Sequence, residues 1–251
     1  MHELAISKRL VERGKILFDS HRQPITFTND CCANALVNDL DNYPHAFVLA
    51  CIMDRQIKAE KAWMIPYRVA MKIGGFSIEK LTELSQDDVR ELMRKPEPLH
   101  WLVETMANNF YLAVHRIKNV YQGDASNIWK GRPSSAELVY RLLGFKGVGP
   151  KISSMAANML VRDYKIHLSD HFSIDISADV HVRRVFSRLG LCNPGASVEQ
   201  VIYKARALYP EFPGMMDLPC WEIGRDVCNV SSPKCEKCYM SDLCKYAKSN
   251  S

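Results

Sequence analysis

The sequence of 251 residues predicts an all-α fold. Apolar residues recur at helical spacing through most of the chain, as they do on the buried faces of amphipathic helices. Capping signals mark where helices begin, and strand patterns are weak. Only Tyr164–Ile176 could be extended, and we interpret it as a loop. A hydrophobic content of 47% and a charged content of 24% exclude disordered, collagenous and coiled-coil chains.

The N-terminal part of the chain predicts three helices. An amphipathic helix covers about Glu3–Phe18. A second helical region extends from Tyr43 to about Gly74. Its run His45–Met53 is so apolar that only a helix buried on every side accounts for it. A short helix is predicted after Ser77.

Further helices follow in the middle and in the C-terminal part of the chain. Leu99–Gln122 predicts two of them, with a break near Asn108 and Asn109. Val180–Leu189 predicts another, and Asp179 directly before it suits the N-cap position, where a carboxylate accepts hydrogen bonds from free backbone N–H groups.

Two consecutive helices are joined by a glycine-containing turn. The spacing of Ser134 and Glu137 is that of a capping box and starts the first helix. Pro150 takes the first position of the second helix, directly after Gly147-Val148-Gly149. Glycines let the backbone approach a phosphate closely, and the first N–H groups of a helix point toward such an anion. An ordinary tight connection between helices is the alternative interpretation.

Four cysteines near the C-terminus follow the spacing C-x6-C-x2-C-x5-C. Four thiolates on one short loop can enclose an iron–sulfur cluster or a zinc ion. Zinc fits less well, because structural zinc sites usually have two separated C-x2-C pairs. Buried free thiols would have apolar neighbours, whereas this loop is mostly polar. The cysteines are Cys228, Cys235, Cys238 and Cys244.

The net charge of +5 is concentrated in the same part of the chain. Residues 141–251 contain 15 Lys and Arg against 11 Asp and Glu. Such an excess is compatible with a polyanionic partner and equally with a solvated surface. No apolar run reaches the roughly 18 residues of a membrane span, and the first residues do not form a signal peptide.

The cysteine loop and the glycine hairpin, in this order along the chain, closely resemble endonuclease III-type DNA glycosylases. These enzymes belong to the helix-hairpin-helix Gly/Pro-Asp superfamily. The resemblance implies a [4Fe-4S] cluster on the four cysteines and two helical lobes flanking a DNA-binding cleft. One lobe is a six-helix barrel over residues 37–163, with the helix-hairpin-helix at about 135–161. The other combines residues 1–36 with residues 164–251 and holds the cluster loop at 228–244.

The resemblance also implies the catalytic residues. Lys151 follows the hairpin glycines at the position of the family's lysine nucleophile, and Asp179 matches its catalytic aspartate. The amine would attack the sugar C1′ and form a Schiff base, while the carboxylate takes a proton and stabilises positive charge on the sugar. β-Elimination then nicks the strand. Taken singly, Lys151 could be a solvated or phosphate-binding lysine, and Asp179 an N-cap.

DNA contacts are predicted at several positions. The hairpin residues Gly147, Val148 and Gly149 would grip the backbone, and Gln56 matches the family's intercalating glutamine. A second wedge is expected from the break near Met106–Asn109. The basic side chains that could contact phosphates, or be plain solvated charges, are Arg183, Arg184, Lys234 and Lys237.

The function implied is a bifunctional DNA glycosylase/AP lyase acting as a monomer on double-stranded DNA that contains a damaged base or an abasic site. Oxidised pyrimidines are the expected substrate. The alternatives are an 8-oxoguanine-type enzyme, since Asp179-Val180-His181 resembles that family too, and a non-catalytic damage-binding protein. A longer segment than usual over Asp163–Ser177 bears on the base pocket. We expect the protein in the cytoplasm with the nucleoid, or in the nucleus of a eukaryote.

Overall fold

A computed structural model describes residues 2–20 and 24–249, and every regular element within these ranges is helical. The predicted all-α fold is confirmed. No helix of the described ranges is long and apolar enough to span a membrane. Within the described ranges, three short 3₁₀ turns accompany the α-helices. The α-helices are α1 His2–Asp19, α2 Cys31–Asn38, α3 Pro44–Met53, α4 Ala59–Ile73, α5 Ile78–Glu83, α6 Gln86–Arg94, α7 Val103–Val120, α8 Ser135–Leu143, α9 Pro150–Arg162, α10 Val180–Leu189, α11 Val198–Leu208, α12 Asp217–Asp226 and α13 Lys245–Ser249.

The described chain divides into two compact units. The hairpin unit comprises residues 24–133 and 140–152. The cysteine-loop unit comprises residues 2–20, 134–139 and 153–249. The predicted lobe division at 37–163 stays a prediction, and its ends at residues 1, 250 and 251 lie outside the described residues.

The core of the hairpin unit is built on α3, in which all ten residues are buried, as the apolar run predicts. The segment before α3, which has no interpretable pattern in the sequence, covers one side of this core. Phe27 stacks on Trp63 of α4 with ring centroids 3.7 Å apart. Asn34 of α2 fixes the backbone of this segment, because its Oδ1 accepts a hydrogen bond from Phe27 N at 3.0 Å.

The predicted break near Asn109 is wrong, since α7 continues through it from Val103 to Val120. Asn109 is only 2% exposed and faces the hairpin turn, where its Nδ2 lies against Gly147. Asparagine has a low helix propensity, but propensity is a weak preference that tertiary contacts override.

The core of the cysteine-loop unit is formed by α1, α10, α11 and α12. Helices α10 and α12 approach so closely that a Cβ on Gly224 would lie 2.6 Å from His181 Cβ. The apolar face of α10 is fully buried, and Phe186 alone contributes about 1.5–3 kcal/mol through its burial. This packing fixes the start of α10, where Asp179 lies.

Candidate functional site

The hairpin turn between α8 and α9 is shaped by Gly147. Its φ of +87° lies in the left-handed region, and a Cβ there would be 2.4 Å from Asn109 Nδ2. Gly149 differs, because a Cβ at that position would meet no atom of the described residues within 4 Å. The Ser134 hydroxyl accepts a hydrogen bond from Glu137 N at 3.1 Å, which confirms the predicted start of α8. The space beside the Cα of Gly149, at the start of α9, is therefore not filled by a neighbouring side chain.

Lys151 is the second residue of α9, and its side chain is 43% exposed. Its Nζ lies 3.7 Å from Oδ2 of Asp54, whose side chain is only 10% exposed. Asp54 directly follows α3 and belongs to the same unit as Lys151. The amine thus faces solvent on one side and a largely buried carboxylate on the other. This partner could not be predicted from the sequence, because 97 positions separate the two residues.

Asp179 caps the N-terminus of α10, as the sequence predicts. Its Oδ1 accepts hydrogen bonds from His181 N and Val182 N, both at 2.8 Å. Within the described part of its unit, no residue donates a hydrogen bond to Oδ2. Asp179 belongs to the cysteine-loop unit and Lys151 to the hairpin unit. One oxygen of this carboxylate is thus structural, and the other can act on a ligand.

Gln56 is exposed in the turn after α3 and has a φ of +55°. The indole Nε1 of Trp101 donates a hydrogen bond to its carbonyl oxygen at 2.8 Å. Buried His100 bonds to the carbonyl of Arg55 through Nε2 and accepts from Leu102 N through Nδ1, at 3.0 Å each. Burial lowers the pKa of His100, so the neutral imidazole supports the turn.

Trp101 is 62% exposed, which is unusual for so large an apolar side chain. Its attachment to the Gln56 turn makes it a candidate wedge that the sequence analysis missed. Met106, Ala107 and Asn109 of the expected second wedge are buried within α7, and a wedge from this segment stays a prediction. The available signal was the large aromatic residue just before the start of a helix.

The four cysteines of the C-terminal loop line one cavity under α10 and α12. Burial, and then the charges of the other cysteines, raise the pKa of the Cys235 thiol. No three His, Cys, Asp or Glu side chains of the described ranges are arranged as a single metal-ion site. The cavity therefore gathers four soft ligands without placing them at the corners of a one-ion site.

Arginines of α10 connect to the cysteine loop. Arg184 donates to the carbonyl oxygens of Cys228 and Gly224 at 2.7 and 2.6 Å. Arg188, which the sequence analysis did not single out, donates to Cys228 Sγ at 3.3 Å. Arg183 donates to the carbonyl of Ala196 at 2.9 Å. Arg184 and Arg188 therefore hold the loop, whereas Arg183 contacts the segment before α11. The predicted phosphate contacts of Arg183 and Arg184 stay predictions.

The lysines within the cysteine loop have a different environment. Lys234 and Lys237 flank Cys235, and both side chains are exposed. These exposed ammonium groups can contact a phosphate directly. The guanidinium of Arg184 would first have to break its hydrogen bonds to the carbonyl oxygens of Cys228 and Gly224.

Comparisons with known proteins show the family to which this chain belongs. A profile described as "HhH-GPD superfamily base excision DNA repair protein" matches residues 49–211. Endonuclease III of Buchnera aphidicola subsp. Baizongia pistaciae is 24% identical over 186 residues, which are 66% of this chain and 79% of that protein. Endonuclease III of Escherichia coli K12 is 39% identical over 74 residues, which are 28% of this chain and 34% of that protein.

Solved structures share the fold. A trapped endonuclease III–DNA covalent intermediate matches with a TM-score of 0.64 and 19% identity, covering 99% of this chain and 98% of the other. A thermostable thymine-DNA glycosylase matches with a TM-score of 0.61 and 18% identity, covering 97% of each chain. A Clostridium acetobutylicum 8-oxoguanine glycosylase/lyase in complex with double-stranded DNA matches with a TM-score of 0.57 and 17% identity. The match covers 84% of this chain and 72% of the other. The chain therefore belongs to the HhH-GPD superfamily, as a DNA glycosylase of base excision repair.

Proposed function

We propose that this protein is a bifunctional DNA glycosylase/AP lyase that removes oxidised pyrimidines from double-stranded DNA. The observation that carries the proposal is the position of Lys151, a half-exposed amine at the start of α9, two positions after Gly149, where there is space for a Cβ. A DNA strand held by the hairpin would bring its sugar–phosphate backbone next to this amine. Asp54 fixes the position of the Lys151 amine through the ion pair.

Base release begins with nucleotide flipping, which leaves a gap in the duplex. The Trp101 indole is bonded to the Gln56 carbonyl, so the Gln56 side chain and this ring can fill that gap together. An aromatic ring stacks on any base and so supports the distorted duplex without reading its sequence.

The chemistry follows from the two proposed catalytic groups. Once it has lost its ammonium proton, Lys151 Nζ forms a bond to C1′, and the bond between C1′ and the base breaks, with its electron pair leaving on the base. Asp179 stabilises the positive charge on the sugar and takes the proton that the amine loses. Opening of the C1′–O4′ bond gives the Schiff base. Loss of a C2′ proton then expels the 3′ phosphate.

A lesion panel tests the proposed function. Purified protein is incubated with duplexes that contain an oxidised pyrimidine, 8-oxoguanine opposite cytosine, an abasic site or no damage. We expect release and strand cleavage at the oxidised pyrimidine, and a covalent adduct with the abasic duplex in borohydride. Preferred cleavage at 8-oxoguanine would support the alternative that the Clostridium acetobutylicum neighbour suggests. Binding without release on every duplex would make the protein a non-catalytic damage binder.

Alanine substitutions at the two hairpin glycines should have different effects, on stability at Gly147 and on DNA binding at Gly149. Gly147→Ala places a Cβ against Asn109 in a left-handed conformation, which should cost on the order of 2–4 kcal/mol of stability. Gly149→Ala has room in the fold, but its methyl group blocks the approach of a phosphate. Thermal unfolding and duplex binding at fixed salt separate the two effects. A Gly149→Ala variant that binds DNA like the wild type would contradict a phosphate contact at this turn.

We propose that the cysteine loop holds a [4Fe-4S] cluster, with Cys228, Cys235, Cys238 and Cys244 as ligands. The residues fit such a group, because all four side chains line one cavity and Arg188 donates to one sulfur. When bound, the cluster ties the loop together as a structural centre. The chain's own Lys234 and Lys237 then lie on a defined surface and can contact phosphates.

The cluster predicts a specific cysteine requirement. The purified wild type should contain iron without zinc and show the broad visible absorption of an iron–sulfur centre. Cys238→Ala should lose iron, absorption and thermal stability together, because one ligand is missing. The exposed Cys31 serves as a matched control, and Cys31→Ser should keep all three. Stoichiometric zinc in the wild type would contradict the cluster.

A further inference from the structure

A buried carboxylate outside the proposed reaction is bonded to Ser177, two positions before the proposed catalytic aspartate. Asp217 is the first residue of α12 and is only 6% exposed. Its Oδ1 accepts hydrogen bonds from Ser177 N at 2.6 Å and from Ser177 Oγ at 2.8 Å. Burying a carboxylate is costly unless it is well hydrogen-bonded, so both bonds are needed to keep it in place.

The backbone between Ser177 and Asp179 is strained. Ala178 is buried and has a φ of +37°, in the left-handed region that costs an L-residue roughly 1–2 kcal/mol. Such a conformation persists only when the surrounding structure fixes it on both sides. Asp217 fixes the side toward Ser177, and the capping bonds of Asp179 to α10 fix the other.

The helix that carries Asp217 packs closely against α10. Gly224 of α12 contacts His181 of α10 without room for a side chain. The two carboxylates also interact: the pKa of Asp217 is raised by burial, and the charge of Asp179 adds to the rise. Asp217, Ser177 and Asp179 therefore form one connected arrangement within the cysteine-loop unit.

We propose that Asp217 and Ser177 are positioning residues that aim the carboxylate of Asp179 at the substrate. The inference rests on the proposed role of Asp179 in base release. A rigid support is what the reaction needs, because displacement of a catalytic group by about 1 Å can cost on the order of 100-fold in rate.

Single-turnover base release by the full-length protein tests the proposal. Asp217→Ala should lower the rate at saturating enzyme about 10–100-fold and leave the Kd for the lesion duplex unchanged. Asp217→Asn keeps an oxygen that accepts from Ser177 and should recover activity to within about fivefold of the wild type. Ser177→Ala keeps the hydrogen bond from the backbone N–H of residue 177 to Asp217 and loses the one from the hydroxyl. Its rate of base release should therefore lie between those of Asp217→Ala and Asp217→Asn.

Two further variants separate positioning from general stability. Val201→Ala removes buried atoms from α11 in the same core and should lower thermal stability without lowering the rate of base release. In the Asp179→Asn background, Asp217→Ala should slow base release no further, because the group that it positions is already lost.

A full rate in Asp217→Ala with reduced thermal stability only, or additive losses in the double variant, would overturn the positioning role. Failure of the proposed function would be visible elsewhere, as no base release by the wild type or as full activity of Asp179→Asn. If Asp217→Ala does not fold, the other two variants still test the proposal. Base release should be slower in Ser177→Ala than in Asp217→Asn, and the reverse order would contradict the positioning role.

Discussion

The Lys151→Gln variant is expected to form no borohydride-trapped adduct with abasic-site DNA. Glutamine keeps most of the length and the helix propensity of lysine, but its amide nitrogen cannot attack C1′ or form a Schiff base. Duplex binding should survive, because the hairpin backbone is unchanged. The adduct is measured by gel shift under denaturing conditions, and strand cleavage at the abasic site should disappear with it.

Lys146 provides a matched control for Lys151. It is an exposed lysine in the same hairpin turn, so Lys146→Gln removes the same charge from nearly the same place. This variant should keep the full adduct yield and bind DNA slightly more weakly. An adduct of wild-type yield in Lys151→Gln, or its loss in Lys146→Gln, would contradict Lys151 as the nucleophile.

The Asp179→Asn variant should release the damaged base about 10²–10⁴-fold more slowly than the wild type. Asparagine caps a helix as well as aspartate does, so the bonds to His181 N and Val182 N can remain while the charge is lost. Stability should therefore be nearly unchanged. Single-turnover base release and thermal unfolding measure the two quantities on the same preparations.

Asp179→Ala completes the comparison. It loses the charge and the cap together, so it should be as slow as Asp179→Asn and also less stable by about 1 kcal/mol. If Asp179→Asn released the base at the wild-type rate and only Asp179→Ala were impaired, Asp179 would be an N-cap without a catalytic role.

Several features of the site could be predicted because their cause is local. The N-cap at Asp179, the start of α8 at Ser134 and the turn at Gly147 depend on hydrogen bonds and backbone angles within a few residues. The apolar run of α3 likewise requires burial wherever the chain places it.

Other features could not be predicted, because they depend on residues far apart in the chain. Asp54 reaches Lys151 only when the end of α3 meets the start of α9. Trp101 holds the Gln56 turn across 45 positions. Asn109 suggested a break in isolation, yet its contact with Gly147 requires a continuous α7.

The sequence alone established the helical fold class and the order of hairpin, lysine, aspartate and cysteine loop, since each is a short contiguous pattern with its own chemical requirement. Only the tertiary structure identified the residues that hold these groups in position. Asp217 holds Ser177, and Arg188 meets Cys228, only because α10 packs against α12 and the loop that follows it. Burial makes such polar contacts strong, and burial is a property of the folded chain.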